Sequence, residues 1–260
     1  MPEQIPKLGV PEFTPVNFHI LKTALTRGWS DFKRAPGFAL VFAGTYILGG
    51  WFMLWITWLT GQSYWLVFAA IGFPLIAPFA AVGFYDVSRR ISGGHAIDWM
   101  QIFSVILRQS KRQLPSLCAI IIVIFLFWFF LAHMIFALFL GLSTMTNVST
   151  SMDIYFTSNG LMMLAFGSVI GAGFAALLYM ITVLALPLLL DREVDFVSAM
   201  IASFQYVLTH PILMFGWALF IGFVTVVSML PAFLGLFVTL PLLGHATWHL
   251  YDLLADRENT

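Results

Sequence analysis

The sequence predicts an all-α, polytopic membrane protein. Six transmembrane helices are expected, together with three amphipathic helices at the membrane surface. Three observations carry this. Of the 260 residues, 60% are apolar and only 9% charged, against about 25% charged in soluble domains, too few to clothe a water-soluble fold of this size. Six stretches reach the roughly 20 residues that a hydrocarbon core requires. All twelve Lys and Arg residues fall in segments that a count of six places on one side.

Taken in order, residues 1–16 form a Pro-rich tail with Pro2, Pro6, Pro11 and Pro15, and no long apolar run precedes Phe38, so no cleaved signal is expected. Phe18, Leu21, Leu25, Trp29 and Phe32 then recur at spacings of three and four, with Lys22, Thr26, Arg27 and Lys33 elsewhere on the wheel. An apolar face bearing tryptophan beside cations marks a helix lying in the interface plane. Pro36 follows, suited to the first turn of a new helix, where its missing N–H is not needed. The first two spans are placed at about 38–60 and 64–85, separated by a turn at Gly61–Ser63.

The same plan recurs twice. Gln101, Ser104, Arg108 and Lys111 face away from Trp99, Phe103 and Ile106, Pro115 comes next, and spans at about 115–141 and 160–190 flank a Ser/Thr-rich loop, 142–159. Asp195, Ser198, Ala202, Gln205 and Thr209 then alternate with Phe196, Met200, Phe204 and Val207 before Pro211. The last apolar run, 211–251, would be about 60 Å long as one helix, twice the hydrocarbon thickness. It must reverse, and Pro231 is the natural place, giving spans at 211–230 and 231–251. The whole reads as one six-helix domain over 17–255, built from three pseudo-repeats of surface helix plus hairpin, with a short tail at 256–260.

Orientation follows from charge. Lys7, Lys22, Arg27, Lys33 and Arg34 precede the first span; Arg89, Arg90, Arg108, Lys111 and Arg112 lie between the second and third; Arg192 and Arg257 follow the fourth and sixth. Short cation-rich loops stay cytoplasmic, so both termini are expected there. The formal net charge of zero gives no field for nucleic acid; the expected partners are the lipid bilayer and other integral subunits.

The run Pro241-Leu-Leu-Gly-His-Ala-Thr-Trp-His-Leu-Tyr251, with Ser88-Arg-Arg90 and Leu188-Leu-Leu-Asp-Arg192, resembles a family of six-helix integral membrane proteins common in proteobacteria, a domain of unknown function. The resemblance implies a bacterial inner-membrane protein and supplies no catalytic residue set.

His245 and His249, four apart, share one face of the last helix, the spacing at which two imidazoles meet one metal. Two ligands fall short of the usual count, and His133 lies at another depth, so no metal or cofactor is expected; His245 is read as hydrogen-bonded in the bundle, with Trp248 and His249 as interfacial anchors. Asp86, Arg89 and Arg90 follow the second span, Asp191 and Arg192 the fourth, Asp252 the sixth. These ends could converge as an ion-pair cluster or docking site, although charges also simply terminate spans. Gly167, Gly171, Ala172 and Ala176 are small residues that let helix backbones approach closely. No Asp, Glu, Lys or Arg falls inside a span as drawn, which weighs against an ion-coupled transporter. The expected role is non-enzymatic, as an accessory or assembly partner of a larger membrane complex, with a small-solute, lipid or ion conduit as the alternative.

Overall fold

Proline and short polar side chains punctuate the chain. Pro36, Pro115 and Pro211 each occupy the first turn of a long apolar helix, while Asn17, Asp98, Thr157 and Asp195 cap other helices by accepting from a backbone N–H three residues on, which satisfies donors that the first turn leaves orphaned. A computed structural model describes residues 7–61, 65–141 and 152–255. Its elements are β1 (Lys7–Leu8), α1 (Phe18–Arg34), α2 (Pro36–Thr60), α3 (Trp65–Ser92), α4 (Trp99–Gln109), α5 (Leu114–Leu140), α6 (Ser158–Thr182), α7 (Ala185–Asp191), β2 (Arg192–Glu193), α8 (Phe196–Thr209), α9 (Pro211–Met229) and α10 (Leu236–Leu254). Gln62 and Ser63 of the first turn, residues 142–151 of the long loop and the 256–260 tail lie outside the described residues.

Among the described residues, four helical stretches are long and apolar enough to cross a membrane: α2, α5, the 158–191 stretch of α6 with α7, and α9. α10 is not one of them, because its second half carries His245, Thr247, Trp248, His249, Tyr251 and Asp252. The reversal between α9 and α10 occupies 230–235, with Ala232 (φ 50°) and Phe233 (φ 66°) in the left-handed region. Trp51 Nε1 of α2 donates to Ala232 O at 2.9 Å and fixes that turn to the bundle.

Two features differ from the expected layout. The stretch 160–190 is not one helix: it breaks at Val183–Leu184. Pro187 lacks the N–H that would have bonded Val183 O, and proline in a helix interior disrupts the preceding turn. Ser203 of α8 repairs the gap, accepting from Leu184 N at 3.1 Å and donating to Met180 O at 2.7 Å. Residues 7–16, expected as a plain tail, are docked. β1 pairs in parallel with β2, Thr14 N donates to Leu254 O at 2.8 Å, and Phe13 packs on Tyr206 and Tyr251. Tyr206 donates to Thr14 O at 2.8 Å, and burial pushes its phenol up to about 12.

α10 is the centre of the fold at its charged end. Every residue from His245 to Tyr251 is buried, against α1, α3 and α7. α1 buries Leu21, Ala24, Gly28 and Asp31, and Gly28 is where α1 and α10 touch: a Cβ there would lie 2.8 Å from Ala246 N. Its other side keeps Phe18 and Trp29 exposed. The expected surface helix is therefore half protein-packed.

Candidate functional site: the buried polar centre

The polar side chains buried at this end arrive from sequence-distant helices. His249 of α10 meets Asp31 of α1, Nε2 to Oδ2 at 2.6 Å, both side chains buried. The other ring nitrogen, Nδ1, is buried without a partner among the described residues. One turn earlier, His245 Nδ1 and Ser88 Oγ of α3 are 2.8 Å apart. The two histidines share a helix face but not a site, since each is committed to a different neighbour. Among the described residues, no group of three or more His, Cys, Asp or Glu is placed to hold a metal. Trp248, expected at the interface beside His249, is fully buried against Tyr85 and Tyr251.

Beside these pairs lies the charged group. Asp86, inaccessible to solvent, accepts from Arg89 Nη2 at 2.5 Å and Arg90 Nε at 2.7 Å. Arg90 continues to Gln101 Oε1 of α4, and Arg89 Nη1 reaches Leu190 O of α7 at 3.4 Å. Asp191 accepts from Tyr251 OH of α10 at 3.0 Å, and buried Arg192 Nε lies 4.0 Å from the same carboxylate. The ends of α3, α7 and α10 thus come together, with Asp252 half-buried on α10 next to Tyr251. Buried charges persist when paired and hydrogen-bonded, and here the pairing joins four helices.

The small residues of α6 divide. A Cβ on Gly171 would meet Trp128 Nε1 of α5 at 3.2 Å, whereas nothing lies within 4 Å of Gly167 or Gly173; Ala172 is exposed and Ala176 half-buried. His133 is exposed on α5 and bonded to its own helix at Phe129 O. Cys118 is buried. Sequence reasoning missed Asp31 and gave Ser88 no role. Asp31 did carry a signal: it continues the stripe Leu21–Ala24–Gly28–Asp31 at helical spacing, a carboxylate on a face otherwise built to bury.

An imidazole oriented by a carboxylate is a familiar base arrangement, but a base needs a proton donor within reach. Among the described residues Nδ1 of His249 has no hydrogen-bond partner, and the Ser88 hydroxyl is held by the other histidine. What the geometry does is fasten α1 and α3 to α10. Residues 66–191, from α3 through α7, match a family model described as Predicted integral membrane protein (DUF2189). The chain is an integral membrane protein. No curated protein and no solved structure matches it.

Proposed function

We propose that the protein is a non-enzymatic component of the bacterial inner membrane that acts through contacts with other integral subunits. In this reading six helices cross the bilayer, α2 with α3, α5 with α6 and α7, and α9 with α10. Each pair follows a shorter helix (α1, α4 or α8) and a first-turn proline, and both termini are cytoplasmic. The confinement of all twelve cations to segments on one side supports that orientation.

The observation that carries the reading is the close burial of apolar side chains at the charged end. Leu184, Leu188, Met214, Trp248, Leu250 and Tyr251 are all essentially inaccessible, and a conduit would need its polar path where these side chains meet. The outward faces are apolar, with Phe127 and Phe130 on α5 and Phe223 on α9 exposed. Gly173 of α6 has open space at its Cβ position, so a neighbouring helix can come close there.

The test is purification in mild detergent with quantitative mass spectrometry, comparing the native chain with Gly173→Leu. The reading expects a stoichiometric integral partner that the variant releases while its own thermal midpoint is unchanged. A lone monomer from native membranes would contradict it, and protein-dependent solute flux in liposomes would establish the conduit instead.

A further inference from the structure

One cleft at the charged end is left unused by the network above. It has a volume of about 320 Å³, and its walls include Arg27, Ser30 and Arg34 of α1 and Ser92 from the last turn of α3, with Asp31 and His249 between them. Positions 27, 30, 31 and 34 fall on one face of α1, and the two arginines are two turns, about 10 Å, apart along the axis. Their long side chains can close on one group from both sides.

The charge balance of this cleft is uneven. Asp31 is the only carboxylate among its wall residues, and its Oδ2 is already held by His249 at 2.6 Å. Neither Arg27 nor Arg34 has an ion pair or side-chain hydrogen bond among the described residues, unlike Arg89, Arg90 and Arg112, each of which reaches a carboxylate. Two arginines without a partner among the described residues and two serines therefore line a space with one committed carboxylate. Arginine forks match phosphate oxygens in pairs, and hydroxyls supply further donors.

The site also lies beside an interfacial surface: on the outer side of α1, Trp29 is exposed, with Lys33 Nζ over its ring at 5.9 Å. A cation over an indole at the rim of an apolar face is the setting in which phospholipid headgroups are met.

We propose that this cleft binds a phosphate ester, with Arg27 and Arg34 as the charge-bearing contacts and Ser30 and Ser92 as hydroxyl donors. The ester is either the headgroup of an anionic phospholipid or a small soluble phosphate. The inference is independent of the contact-protein reading and survives its failure.

The test uses the full-length protein, delipidated in a non-ionic detergent at low ionic strength, with thermal unfolding followed by tryptophan fluorescence. Phosphatidylglycerol, phosphatidylcholine and inorganic phosphate are titrated separately against the native chain, Arg27→Gln/Arg34→Gln, and Lys22→Gln as an α1 control outside the cleft. The expected result is a saturable rise of the midpoint in the native chain and in Lys22→Gln. The double variant should need about tenfold or more additional ligand, since charge-assisted hydrogen bonds carry roughly that much each, and the gap should narrow at 0.15 M salt. A rise with phosphatidylglycerol alone assigns the lipid source, and a rise that inorganic phosphate reproduces assigns a soluble one. Arg27→Lys/Arg34→Lys, which keeps both charges but loses the fork, should bind with intermediate strength and an unchanged ligand-free midpoint. Three results overturn the proposal: identical titrations of the native chain and the double variant, phosphatidylcholine acting as strongly as phosphatidylglycerol, or no rise with any phosphate.

Discussion

α5 and α10 are opposites, and the contrast explains the molecule. α5 is a nearly unbroken run of Ile, Leu and Phe, yet Val123, Phe127, Phe130, Met134 and Leu138 all face outward. α10 carries two histidines, a tyrosine, a threonine and an aspartate in its second half, yet every residue from His245 to Tyr251 is buried. In water the arrangement would be inside out. In hydrocarbon it is the expected one: lipid is as good a partner for Phe130 as any core, while imidazole and carboxylate gain most where the protein can hydrogen-bond them. At its charged end this bundle combines a buried apolar cluster with polar matching and close backbone contact.

That contrast can be broken most severely at His249. His249→Leu should strand Asp31 as a buried carboxylate and cost about 3–5 kcal/mol, read as resistance to unfolding in mixed SDS micelles. Adding Asp31→Leu should restore most of the loss, because replacing both members of a buried pair by apolar groups is close to neutral. A double variant as weak as the single one would remove the pair from the account. Gly28→Ala should come next. Its Cβ would press on Ala246 N at 2.8 Å and Leu242 O at 3.0 Å, backbone atoms that cannot turn aside, for a loss of about 1–3 kcal/mol in the same assay.

Asp195 at the start of α8 sharpens the comparison through pH. Hydrogen bonds from the Ser198 side chain and backbone hold its carboxyl below the usual value. A depressed carboxyl stabilises fully above its unfolded pKa and loses that contribution as pH falls through the folded one. Protection factors of the α8 amides, which are corrected for the intrinsic pH dependence of exchange, should therefore fall towards acid pH, and Asp195→Asn should flatten that limb. The smallest effect belongs to the perimeter. Phe130→Ala removes a large side chain that is 69% exposed and should change the unfolding free energy by less than about 0.5 kcal/mol; a core-sized loss would place α5 inside the protein.

Much of the helical plan was legible in the sequence, because its punctuation is local. Pro36, Pro115 and Pro211 mark helix starts, and the overlong run 211–251 reverses within 230–235, where the proline suggested. The break at Val183–Leu184 was hidden. Pro187 announces a weak point, but only the contact with Ser203 decides where the chain opens. Docking of residues 7–16 was equally invisible, since it depends on Glu193 and Leu254, far along the chain. For the polar centre, composition pointed to the right helix and missed the partners. The i, i+4 spacing of His245 and His249 put both on one helix face, with no metal expected and His245 read as hydrogen-bonded in the bundle, but it could not name their neighbours, Ser88 and Asp31, which lie 157 and 218 residues away in sequence. Trp248 and His249 resemble interfacial anchors by type, and only the packing of α1 over α10 shows why they are buried.

The inverted polarity of α5 and α10 is tested most directly by a lipid-dissolved photoreactive carbene probe. The unmodified protein would be labelled in bilayers and its adducts mapped by peptide mass spectrometry. Adducts are predicted on Phe127, Phe130 and Phe223, with residues 245–251 left clean. Labelling of 245–251, or protection of the α5 face, would contradict the account.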